Sequence, residues 1–128
     1  MSYYISKKVD YSYDEAIEKI KESLKEQGFG VVTEIDMQAI LKTKIDKDIP
    51  PYTILGACSP NYAYHAVQTE DNIGLMLPCN VLVREDKDGK VDVSAIDPLE
   101  AMKPVNNENL EEMAGEVRDK LELAVKNL

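Results

Sequence analysis

The apolar positions of the chain switch repeatedly between a two-residue and a helical period. Tyr3-Tyr4-Ile5 with Val9 reads as a first strand. From Ser12 the spacing is helical: Ile17, Ile20 and Leu24 share a face, Ser12 and Glu15 form a capping box, and Gly28 supplies the stop. Phe29 to Ile35 reads as a second strand, and Asp36 caps a short helix whose expected buried side is Met37, Ile40 and Leu41. A third strand, Tyr52 to Ala57, runs into Cys58. Ser59-Pro60, a hydroxyl N-cap followed by proline, then opens a helix with Ala63, Ala66 and Val67 inward. Ile73 to Leu77 predicts a strand broken by Pro78, with pairing resumed from Cys79 to Arg84. Asp86-Lys87-Asp88-Gly89 is a hairpin turn, and Val91, Val93 and Ala95 alternate on the returning strand until Asp97-Pro98 ends it.

The last helix starts near Asn106 or Asn107 and carries Leu110, Met113, Ala114, Val117, Leu121, Val125 and Leu128 on one stripe, with Leu123 opposite. The order β-α-β-α-β-α-β-β-α predicts an α+β fold of two layers: a mixed β-sheet with helices packed on one face. At 128 residues the chain is expected to form a single domain, 1–128.

Charge sharpens this picture. The net charge is -9, which argues against a broad phosphate-facing surface, so neither nucleic acid nor an anionic membrane is expected as a partner. No apolar run approaches the ~20 residues of a membrane span, and the first residues lack a secretory h-region. The cytoplasm is the expected compartment, and there thiols stay reduced. From Pro51 to Val83 there is no Lys or Arg, and the only acids are Glu70 and Asp71. Both cysteines and the single histidine lie in this window. So charge-poor a stretch reads as core, interface or ligand site, and a two-fold homodimer is expected to cover part of it.

Three segments resemble the domain of unknown function 302 family: Tyr52-x-Ile54-Leu55-Gly56-Ala57-Cys58-x-Pro60-x-x-Ala63, Gly74-Leu75-x-Leu77-Pro78-Cys79-Asn80-Val81, and Asp97-Pro98. The resemblance covers essentially the whole chain. It implies a small bacterial or archaeal α+β domain with a tendency to dimerise and brings no established activity. Ser59 stands where the family often has Asn, and either residue can cap. Nothing carries over to His65.

Read from the residues alone, Cys58 ends a strand one residue before a helix N-cap, where the helix dipole favours a thiolate. A small buried hydrophobe is the competing reading. Cys79 follows Pro78 at a strand break, and the two thiols are expected either to meet in one pocket or to sit as adjacent core residues. With His65 they would form a three-ligand set, Cys58, Cys79 and His65, for a soft ion such as Zn(II) or Cu(I). No Gly-rich phosphate loop, HExxH, GxSxG or GxGxxG occurs, and no cofactor is specified. The expected function is a small-ligand module, for an anion or a soft metal, with a pocket around Cys58, Ser59, Pro78, Cys79 and Asn80. A thiol redox protein or enzyme using Cys58 is the alternative, and a purely structural or interaction domain is the third.

Overall fold

In the computed structural model, which describes residues 2–128, five strands form one sheet: β1 (Tyr4–Val9), β2 (Gly30–Asp36), β3 (Tyr52–Cys58), β4 (Cys79–Glu85) and β5 (Val91–Ile96). Their spatial order is β1-β5-β4-β3-β2. Helices α1 (Tyr13–Glu26), α2 (Met37–Ile45), α3 (Pro60–Thr69), α4 (Pro98–Ala101) and α5 (Glu108–Lys126) fill the connections. The α+β class, the element order and the β4–β5 hairpin agree with the sequence reading. Every strand pairing is antiparallel, however, so the expected mixed sheet is corrected to a fully antiparallel one. The reason lies in the connections. Helices α2 and α3 each return the chain antiparallel beside the strand it has just left, so they are excursions within hairpins rather than parallel crossovers.

Leu55, Val81, Val83, Val91, Val93 and Ala95 present one apolar sheet face, and α1 and α5 cover it. Helix α1 buries Ala16, Ile17, Ile20 and Leu24, and its start is held by the Ser12 side chain, which accepts from the Glu15 N–H. Gly28 adopts φ 86°, a left-handed conformation that glycine enters without a Cβ clash. Helix α5 follows Asn107 as its cap and buries Leu110, Met113, Ala114, Val117, Leu121 and Val125, with Leu123 half exposed on the other side. Ser23 Oγ donates to the Ala124 carbonyl at 2.6 Å and ties the two helices together. No helix among the described residues is long and apolar enough to cross a membrane.

Three local expectations are corrected. Ile73–Met76 is a 3-10 turn rather than a strand. Its N–H groups are used in i→i+3 bonds such as Leu75 N to Asn72 O at 3.0 Å, which leaves no ladder to pair. Helix α2 is capped by Asp36 as expected but fully buries none of its residues, because it packs at the margin of the sheet beside β3. In α3 only Ala66 is fully buried, and Val67 points outward, about half exposed.

Candidate functional site

The two cysteine-bearing segments meet at one end of the sheet. Cys79 opens β4 opposite Ala57, and Cys58 is the next residue of β3, at the strand's end. Both thiols are free; Cys79 is buried and Cys58 partly so. Ser59 occupies the N-cap of α3 with Pro60 at the first helical position, yet its hydroxyl makes no capping hydrogen bond. Only its carbonyl serves the helix, accepting from the Ala63 N–H at 2.9 Å.

Gly56 explains how these segments close together. A Cβ on Gly56 would lie 2.2 Å from Thr33 Oγ1 and 2.6 Å from Pro78 Cγ. The missing side chain therefore lets the Pro78 ring and Thr33 settle over β3. The Leu77–Pro78 peptide is cis. On the edge side, the β2–β3 register shifts between Val31 and Thr33, leaving Val32 as the extra residue of a bulge.

Between these parts lies a half-open cavity of about 270 Å³. Ala57, Cys58 and Cys79 form its strand wall; Tyr62, Ala63 and Ala66 come from α3, and Met113, Ala114 and Val117 from α5. Leu77, Pro78, Pro98 and Met102 close one side, and Phe29 and Val32 the other. Its surface is almost wholly apolar. Burial in this wall, with the neighbouring Cys58 adding to it, pushes the Cys79 thiol up to about 11, so it stays protonated at neutral pH.

Of the residues expected at the site, Cys58, Ser59, Pro78 and Cys79 line this cavity. Asn80 does not. It lines an adjoining cleft with Leu75, Met76 and Ile96, which shares Leu77, Pro78, Cys79, Pro98 and Met102 with the first cavity. His65 is exposed on α3 and lines a separate cleft with Asn61, Asn109 and Glu112, where the Tyr62 hydroxyl donates to Glu116 Oε2 at 3.1 Å. Cys58 and Cys79 share the cavity, and His65 does not line it. The imidazole stands in a cleft that shares Tyr62 and Met113 with the cavity. Among the described residues no group of three or more His, Cys, Asp or Glu is arranged to hold a metal ion.

The sequence reading missed α4 and the residues it delivers, Pro98 and Met102. Asp97 builds this corner: its Oδ1 accepts from the Leu99 and Glu100 N–H groups at 3.0 and 3.3 Å, and its Oδ2 from Arg118 Nε at 3.0 Å. A signal was available. Asp97-Pro98 is the same cap-then-proline pair that marks the start of α3 at Ser59-Pro60.

A comparison with curated proteins finds no match. Among solved structures, the crystal structure of an uncharacterized conserved DUF302 protein from Bacillus stearothermophilus is similar along almost its whole length. The TM-score is 0.92 at 25% sequence identity, with 98% of this chain and 98% of that one covered. The family model described as domain of unknown function DUF302 matches residues 5–128, a span that includes every wall of the cavity, and the chain belongs to that family.

Proposed function

We propose that this protein is a small-ligand binding module whose site is the apolar cavity between β3, β4 and helices α3 to α5. The observation that carries this reading is a half-open space of about 270 Å³, almost free of polar surface, where both cysteine-bearing segments converge. Well-packed interiors leave few voids larger than a water molecule, and an apolar void of this size is a place for a guest. The apolar wall favours a guest that is uncharged once bound over the anion expected from the sequence.

The alternative of a dithiol redox protein or a Cys58 enzyme draws less support, since the Cys79 thiol is held protonated by burial and no acid-base partner lines the cavity. The proposal keeps the chain in the cytoplasm. It also includes a two-fold homodimer, supported by the exposed edge strand β2 with Val32 and Ile35 on its surface. Light scattering that finds a monomer at micromolar concentration would reject the dimer.

The test of the binding reading is an NMR titration with indole as an apolar probe. Amide shifts are expected to concentrate at Cys58, Ala66, Cys79 and Val117. Ala63→Leu, on the partly exposed α3 wall, is expected to fill the space and abolish them while the fold persists. Shifts scattered over the surface, or unchanged in the variant, would sink the reading.

A further inference from the structure

We propose that the cavity is a Cu(I) site, with Cys58, Cys79, Met102 and Met113 as its donor set; this inference rests on the small-ligand reading and names the ligand class. Four of the chain's seven cysteine and methionine side chains line one cavity, although its wall takes only an eighth of the residues. They come from four separate places in the chain: the end of β3, the start of β4, the C-cap of α4 and the middle of α5. Simple gap-filling by methionine does not require that the two thiols sit in the same wall as the two thioethers.

The chemistry of this set is selective. Thiolate and thioether sulfurs are soft donors that prefer Cu(I), whereas Zn(II) is commonly held by imidazole, carboxylate or several thiolates. No histidine, aspartate or glutamate lines the wall. An isolated charge in such a space is costly, and this decides the ion's valence. Cu(I) bound to one thiolate and to neutral thiol or thioether sulfurs makes a site of zero net charge. The step is an exchange: a copper–sulfur bond forms, the sulfur–hydrogen bond breaks, the proton leaves to solvent, and copper stays monovalent. A divalent ion held the same way would leave a buried positive charge.

The ion also has a way in. The adjoining cleft shares Cys79 and Met102 with the cavity and carries Met76, whose side chain is partly exposed at 37%. A fifth sulfur thus lies in the cleft next to the inner four. Methionine's three rotatable bonds let Met102 and Met113 adjust to a bound ion without moving α4 or α5.

The experiment is an anaerobic titration of the full, reduced chain with Cu(I) against the chromogenic chelator bicinchoninate, with near-ultraviolet sulfur-to-copper absorption as a second readout. The chain is expected to withdraw one Cu(I) per molecule and to take no Zn(II) in a parallel titration. Met102→Leu and Met113→Leu keep the packed volume, so both are expected to fold. Each is expected to weaken Cu(I) binding by about tenfold or more, and Cys58→Ala by more again. Failure to compete with the chelator, equal uptake of Zn(II), or undiminished Cu(I) binding in both methionine variants would overturn the copper site. If copper fails while indole still binds, the small-ligand reading survives alone; if indole fails too, both fall.

Discussion

Placing an alanine at Gly56 tests how the two cysteine segments are held together. Its Cβ would stand 2.2 Å from Thr33 Oγ1 and 2.6 Å from Pro78 Cγ, where ordinary contact begins at 3.4 Å. Thr33 can turn its hydroxyl aside, being the free end of a side chain on an edge strand. Pro78 cannot, because its ring is fixed to the backbone one residue before β4, so the segment carrying Cys79 must shift. Overpacking of this kind costs about 1–3 kcal/mol, and the reduced freedom of the unfolded chain returns about 0.4–1 kcal/mol. The net expectation is a loss of about 1–2 kcal/mol, or a fall in Tm of roughly 4–8 °C for a domain of this size. Gly30→Ala is the control, since no atom lies within 4 Å of its Cβ position and it belongs to the strand next to Gly56. It is expected to change stability by no more than about 0.5 kcal/mol. Thermal unfolding followed by the helical circular dichroism signal measures both, and adding Thr33→Ala to Gly56→Ala is expected to recover only part of the loss. If Gly56→Ala melts within a degree of the unaltered chain, or no lower than Gly30→Ala, the close approach of Pro78 is not what the structure indicates.

Other expectations concern the corner, the thiols and the hairpin. Asp97→Ala removes two helix-cap bonds and one of the carboxylate partners of Arg118 and is expected to cost about 2–3 kcal/mol by urea unfolding, with Asp97→Asn costing less than half of that because it can still cap; equal losses would deny the caps any role, since Asn keeps them and gives up only the charge. With its thiol raised to about 11, Cys79 is expected to resist iodoacetamide at pH 8 until the chain unfolds, whereas the partly exposed Cys58 labels in the native state; equal rates by peptide mass would contradict this. Chiefly the Lys90 N–H, with help from Lys8 and the Asp88 N–H, holds the Asp86 carboxyl below its ordinary value. A lowered folded-state pKa gives stability that is present above the unfolded value and lost as pH falls through the folded one. The difference in urea midpoint between the unaltered chain and Asp86→Asn is therefore expected to hold at neutral pH and to close below about pH 4; a gap that widens on acidification would reverse the sign.

Much of the architecture was written in local signals. The Ser12 cap, the Gly28 stop and the stripe from Leu110 to Val125 each follow from the chemistry of a few neighbouring residues, and all appear in the structure. The direction of strand pairing was not local. Nothing in the sequence of α2 or α3 says whether the next strand returns beside the last or crosses over it. The Ile73–Leu77 run misled because its apolar residues lacked a face: Ile73 is buried and Leu75 almost fully exposed. At the site, the charge-poor window and the two prolines pointed to Cys58, Ser59, Pro78 and Cys79. Met102 was out of reach, because its place in the wall depends on Asp97 starting a four-residue helix and on Arg118, the residue after Val117 on α5, holding that start. His65 lay close in sequence to the site, but helical geometry turns it toward a different cleft.

Whether the cavity takes a guest is tested most directly by a crystal structure of the chain determined under xenon. Xenon enters apolar cavities without needing polar partners. The expected result is a xenon atom between the Cys58 and Cys79 strand ends and the Met113 and Val117 side of α5, with the surrounding backbone unmoved. A cavity closed by inward movement of α3, or xenon found only elsewhere, would contradict the binding-module reading.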